Sequence, residues 1–210
     1  RQEILLQTLG KVTIADEMSL SEEARETLDL FRLLRRPARC FGMEALGGHV
    51  LSMTRTPSDL LTILWLWHWS QGVDGGHPED PNLRLPIIPL YETVDDLALA
   101  DKTTDRLLSL PIYREYVAGL GDQQIVMIGY SDSTKDGGYL AACWALHEAQ
   151  RKVFAVTQRQ RVDVTFFHGR GGSLGRGGGP AASSTPARAS PRRWPSRPNH
   201  PYPNPNLPPS

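Results

Sequence analysis

QIVMI (124–128), GYSDSTKDGG (129–138), YLAACWALHEAQRKVFAVTQRQ (139–160) and VDVTFF (162–167) run almost without interruption along the chain. The first and last are short apolar runs rich in β-branched and aromatic residues, which suit buried strands. Between them lie a polar Gly/Ser/Asp loop and a long stretch of good helix formers. A strand, a loop, a helix long enough for a crossover and a second strand make a βαβ unit with parallel strands.

The same alternation extends towards the N-terminus. Leu85 to Tyr91 is apolar and ends at Glu92, although Pro86 and Pro89 suit a central antiparallel strand poorly. Val94 to Leu110 reads as helix, with a second short helix from Ile112 to Leu120. Residues 72–84 form a polar Gly/Pro loop. Thr56-Pro57-Ser58-Asp59 combines a cap, proline at the first helical position and an acidic third position, opening a helix from Ser58 to about Gln71. Gly47-Gly48 precedes a short strand, His49 to Met53. Ser21 caps a further helix whose first turn carries Glu22 and Glu23, whose apolar positions are Leu28, Phe31 and Leu34, and which Pro37 is expected to end. Four strands alternating with helices predict an α/β fold with a parallel sheet. They equal half of an eight-stranded (β/α)8 barrel, and they also suit a small doubly wound sheet; spacing alone leaves both open.

Composition narrows the class. The chain has 210 residues, 40% of them hydrophobic and 22% charged, which excludes wholesale disorder and a coiled coil. Basic and acidic residues balance at 23 each, so global charge favours neither nucleic acid nor an anionic membrane. The balance is uneven along the chain: residues 181–210 hold Arg188, Arg192, Arg193 and Arg197 and no acid, and ten of the 17 prolines lie from Pro180 onward. The most apolar run, Leu60 to Trp69, is half the ~20 residues a membrane span needs and predicts a core helix. Trp65, Trp67 and Trp69 read as packing residues of that helix. Cys40 and Cys143 have no metal-type spacing and are expected to be reduced, buried thiols of a soluble cytoplasmic protein.

The polar residues that stand out fall after predicted strand ends, where α/β folds bind ligands. Gly169 to Gly179 holds seven glycines with Arg170, Arg176 and Ser173. Glycine backbone lets N–H groups approach an anion, and arginine offers forked donors to phosphate or carboxylate. The segment matches neither a P-loop nor, with Leu174 at the sixth position, a dinucleotide fingerprint. An anion cradle, a linker and an RGG-type RNA element remain as readings. Asp132, Asp136 and Lys135 in the 129–138 loop suit a hard divalent cation beside a charge-neutralising amine; capping of the following helix explains Asp136 equally well. Glu92 taken alone reads as a helix-leading carboxylate, and His168, directly after an apolar strand, reads as a core histidine.

MIGYSDSTKDGGYLAA (127–142) and FFHGRGGSLGRGGGP (166–180) resemble the two diagnostic segments of phosphoenolpyruvate carboxylases, and LSMTRTPSD (51–59) and PLYETVDDL (89–97) agree in order and approximate spacing. The resemblance implies a (β/α)8 TIM-type barrel elaborated with extra helices, of which residues 1–180 hold about four βα units, in a protein usually assembled as a homotetramer. It implies addition of bicarbonate to phosphoenolpyruvate, giving oxaloacetate and phosphate with magnesium or manganese, and so carbon fixation feeding the tricarboxylic acid cycle. By position, Glu92 and Asp132 correspond to the metal ligands, and Lys135, the active-site lysine of its loop, corresponds with His168 and Arg170 to the catalytic residues. Arg170, Gly171, Gly172 and Arg176 correspond to the substrate-binding segment; Arg176 also matches the arginine that binds the dicarboxylate inhibitor, aspartate or malate. In that chemistry bicarbonate attacks the phosphorus, carboxyphosphate and the enolate of pyruvate form, and the enolate captures the released carbon dioxide. Neither nucleic acid nor membrane is implied.

Members of this family are several times longer and take a catalytic histidine and further arginines from regions that do not correspond to any segment here. The expectation is therefore an internal fragment with little or no carboxylase activity of its own, exposing sheet edges and part of a core. Beyond Pro180 the likeness stops, and residues 181–210 are read as a disordered Pro/Arg/Ser-rich tail from a shifted reading frame. A non-catalytic phosphometabolite-binding piece is the alternative function, with an RGG-type RNA binder behind it.

Overall fold

A computed structural model describes residues 1–9, 20–70, 83–129 and 131–169, without the side chains of Ser131, Asp132 and Asp136. In chain order the elements are α1 (Gln2–Thr8), α2 (Glu22–Phe41), a 3-10 turn (Met43–Ala45), β1 (His49–Leu51), α3 (Pro57–Trp69), β2 (Ile87–Tyr91), α4 (Val94–Leu108), α5 (Pro111–Ala118), β3 (Gln123–Gly129), α6 (Ser131–Gly137), α7 (Tyr139–Arg159) and β4 (Asp163–Gly169). The expected tail and most of the glycine segment lie outside the described residues.

The four described strands form one parallel sheet in the order β1-β2-β3-β4. Strand order follows chain order without reversal, so these strands contain no topological switch point of the doubly wound kind. Each crossover carries at least one helix, as parallel pairing requires. On one face of β3, Val126 and Ile128 pack with Tyr91, Leu97 and Ala100 and with Leu146, Ala149 and Val153 of α7. A second cluster, built around Leu60, Leu61, Leu64, Trp67, Tyr113 and Tyr116, joins α3 and α5 to the start of β2.

Local signals account for most boundaries. Ser21 accepts from the Ala24 N–H at 3.3 Å, and Asp59 Oδ2 accepts from the Thr56 N–H at 2.8 Å. Met53 ends the β1 segment early by adopting φ 52°. Two expectations fail for tertiary reasons. Pro37 does not end α2, which continues to Phe41 and stops at Gly42 with φ 86°. A helical proline costs about 3 kcal/mol, and burial of Ala38 beyond it, continuing the stripe of Leu28, Phe31 and Arg35, favours carrying on. The 129–138 stretch is not all loop: residues 131–137 form α6, where the buried Ser133 Oγ donates to the Gly129 carbonyl at 3.0 Å. The cap position of α7 is Gly138, φ 77°, which has no side chain, so capping of that helix does not fall to the cap residue's side chain.

β2 shows how proline enters a central parallel strand. Its ladder with β3 spans only Leu90 and Tyr91. Nearer its start, the Gln124 side chain donates to the Ile87 carbonyl at 3.0 Å and accepts from Tyr113 Oη at 2.9 Å. Tyr116 Oη donates to the Leu85 carbonyl at 2.8 Å. Side chains therefore supply the donors that backbone pairing does not. Burial pushes the Tyr91 phenol up to about 12 and the Tyr113 and Tyr116 phenols further still, so all three stay neutral.

The thiols differ from expectation: Cys40 is exposed and Cys143 half-buried, neither in a disulfide. Cys40 falls off the buried stripe of α2. The tryptophans pack as expected: Trp67 is buried and Trp65 stacks with Trp69 at 4.9 Å between centroids. No described helix is long and apolar enough to cross a membrane. The sheet also leaves apolar surface open, with Val50 on β1 and Phe167 on β4 exposed, as are Leu140 and Trp144 on α7.

Candidate functional site

Register decides what meets at the C-terminal edge of the sheet. Tyr91, Ile128 and His168 share one row across β2, β3 and β4, and Gly129 and Gly169 share the next. Glu92, one residue past β2, falls in that second row. Alternation along a strand then places Glu92, Gly129 and Gly169 on the face opposite Tyr91 and Ile128.

Gly129 is what brings Glu92 in. A Cβ added at Gly129 would sit 3.0 Å from Glu92 Cα, 3.3 Å from its Cγ and 3.4 Å from its Cβ, so the half-buried glutamate lies directly on the glycine. Gly169 repeats the device, with Met127 Cε 2.7 Å from the corresponding position. The far end of α6 is drawn to the same place, since a Cβ on Gly137 would lie 3.1 Å from Val94 Cγ2, two residues past Glu92.

α4 leaves this edge through a reciprocal cap. The Asp96 N–H donates to Thr93 Oγ1 at 3.1 Å, and the Thr93 N–H donates to Asp96 Oδ2 at 3.2 Å. The other oxygen of Asp96, which is buried, pairs with Arg55 Nε at 3.4 Å. Arg55 stands in the loop between β1 and α3, tied to β2 through the Thr54 N–H, which donates to the Leu90 carbonyl at 3.3 Å.

The predicted site residues divide accordingly. Glu92 is at the edge, on the face away from α4 and α7. Asp132 is in the first turn of α6, three residues past Gly129; its side chain is outside the described residues. Lys135 is in the last turn of α6 and exposed. His168 is exposed, which corrects the core-histidine reading: it is the penultimate residue of β4, the last described strand of the sheet. Its strand position puts it on the face opposite Glu92. Arg170, Gly171, Gly172 and Arg176 lie outside the described residues. Sequence reasoning passed over Gly129 and Arg55; the pairing register exposes the first, and no sequence signal marks the second.

Magnesium-type cations take one or two carboxylates and complete their shell with water and substrate oxygens. No cluster of three or more His, Cys, Asp or Glu side chains occurs among the described residues, and a cation of this kind does not need one. A glutamate held at a strand tip beside a helix that carries an aspartate and a lysine suits that chemistry in its donor types.

Comparison with known proteins bears on the same segments. The family model described as phosphoenolpyruvate carboxylase matches residues 1–190. The chain belongs to that family. Phosphoenolpyruvate carboxylase of Chromohalobacter salexigens is 46% identical over 183 residues, covering 86% of this chain and 19% of the relative. Phosphoenolpyruvate carboxylase 2 of Chlamydomonas reinhardtii is 44% identical over 176 residues, covering 80% and 14%. The Rhodothermus marinus phosphoenolpyruvate carboxylase is 40% identical over 189 residues, covering 86% and 20%. The chain thus spans about a fifth or less of these carboxylases, and the match takes in Arg1, whose guanidinium pairs with Asp59 Oδ1 at 3.1 Å on α3.

Proposed function

We propose that this chain carries part of the metal and phosphoryl site of a phosphoenolpyruvate carboxylase, a carboxy-lyase that joins bicarbonate to phosphoenolpyruvate to give oxaloacetate and phosphate. The observation that carries the reading is the approach of Glu92 to Gly129 at the sheet edge, with α6 and its Asp132 and Lys135 leading directly off β3. Glu92 and Asp132 would hold magnesium or manganese. Such an ion, when bound, offsets negative charge gathering on substrate oxygens.

The chain's own residues supply the rest. Lys135 and Arg170 offer cationic donors to phosphoryl oxygens, a contribution of about 10²–10³ in rate for a preorganised donor. Gly171 and Gly172 open backbone N–H groups to the same anion. Arg176 is assigned to substrate and to an inhibitory dicarboxylate such as aspartate or malate, and His168 to the rim of the site. Consecutive strand order supports half of a (β/α)8 barrel as the parent architecture. A homotetramer and a cytoplasmic setting belong to the same reading.

The test is manganese binding to the full 210-residue chain, followed by electron paramagnetic resonance. Binding that weakens at least tenfold in Glu92→Gln is the expected result. Manganese bound equally by parent and variant would remove the metal assignment. Oxaloacetate formation by the same preparation is expected to be absent or slight, since the chain spans a fifth of its relatives.

A further inference from the structure

Arg55 is an exposed arginine at the C-terminal edge of the sheet. Its backbone is fixed on two sides: its N–H donates to Asp59 Oδ2 at 3.2 Å, and its carbonyl accepts from the buried Thr103 Oγ1 at 3.1 Å. The preceding residue, Thr54, is fully buried and bonds its hydroxyl to the Leu51 carbonyl at 2.9 Å. The side chain is oriented through Nε, 3.4 Å from Asp96 Oδ1, yet it is 62% exposed. Among the described residues neither Nη group has a hydrogen-bond partner. A surface arginine kept only for a helical charge pair, such as Arg151 with Glu148, lies three residues from its partner on the same helix. Arg55 is instead fixed by three groups from two other elements, α3 and α4, at the ligand-binding edge of a parallel sheet.

We propose that Arg55 is an oxyanion-binding residue, holding a phosphoryl or carboxylate group over the C-terminal ends of β1 and β2 with its two Nη groups. Nε anchoring removes rotamer freedom before the ligand arrives, and the outer edge of the guanidinium matches two oxygens at once. The buried carboxylate of Asp96 is already satisfied from the other side by the Thr93 N–H, so it orients Arg55 and also holds the residue next to Glu92. This deepens the function proposed above, since the anion would enter beside Glu92.

The test is titration of the metal-free 210-residue chain with inorganic phosphate and, in parallel, with malonate, read by isothermal calorimetry. Circular dichroism confirms that each variant keeps its helices. Loss of one charge-assisted fork is expected to weaken binding about tenfold or more in Arg55→Gln. Arg55→Lys should recover part of it, and Arg106→Gln, an exposed arginine at the far end of α4, should change nothing. Weakening with phosphate alone identifies a phosphoryl ligand, and with malonate alone a carboxylate. Equal binding of both anions by parent and Arg55→Gln, or no binding by the parent, overturns the proposal. Manganese binding through Glu92 is a separate measurement, so failure here leaves the metal assignment standing and its failure leaves this one.

Discussion

Replacing Gly129 with alanine probes the close approach on which the sheet edge depends. Gly129 does not have a left-handed φ, so the backbone accepts alanine. Space does not. The new Cβ would meet Glu92 Cα at 3.0 Å, whereas carbon pairs settle at about 3.5–4.0 Å, so the β2 tip must retreat by about 0.5 Å. Overpacking of this size costs about 1–3 kcal/mol. Metal–oxygen distances tolerate only about 0.2 Å of error, so the displacement should affect metal binding more sharply than folding. Urea unfolding of Gly129→Ala should show the modest stability loss, and manganese titration a loss of at least tenfold. Combining it with Glu92→Ala separates backbone from side chain. That truncation removes the Cγ that would lie 3.3 Å away but leaves the backbone carbon at 3.0 Å, so most of the stability loss should persist. Gly129→Ala with unchanged stability and unchanged manganese binding would refute the claim that this glycine sets the position of Glu92.

Two further outcomes follow from buried polar groups. Gln124→Ala removes the amide that joins Tyr113 Oη to the Ile87 carbonyl and should cost about 2–4 kcal/mol by leaving both unsatisfied; urea unfolding measures it, and a loss below about 1 kcal/mol would count against the bridge. His49 stacks near Phe31, with centroids 5.5 Å apart, and burial lowers its pKa below 6.5. The unfolded chain therefore binds the proton first, so the stability this neutral imidazole contributes is present above pH 6.5 and is lost as pH falls through the lower folded value. His49→Phe should flatten that part of the stability profile, and an unchanged slope would show that other groups set it.

Legibility tracked the range of the interaction. The Ser21 and Thr56–Asp59 caps were readable because each joins residues three apart. Pro37 misled because the advantage of continuing α2 comes from burial of Ala38, which no local signal reports. Polar, hydroxyl-rich residues 131–137 resembled a loop because their helix is held by Ser133 bonding back to Gly129 and by the meeting of Gly137 with Val94. Arg55 and Asp96 are 41 positions apart, and nothing in either neighbourhood announces the pair.

The order of residues alone determined the alternation of strand and helix, the parallel sheet and the family, since periodicity, caps and long motifs are properties of short segments. Tertiary structure decided which strand tips align, that Glu92 lies on Gly129, and that His168 takes the opposite face and remains exposed. Those facts depend on register, and register is fixed by two apolar clusters closing around the sheet, a cooperative outcome that no segment encodes by itself.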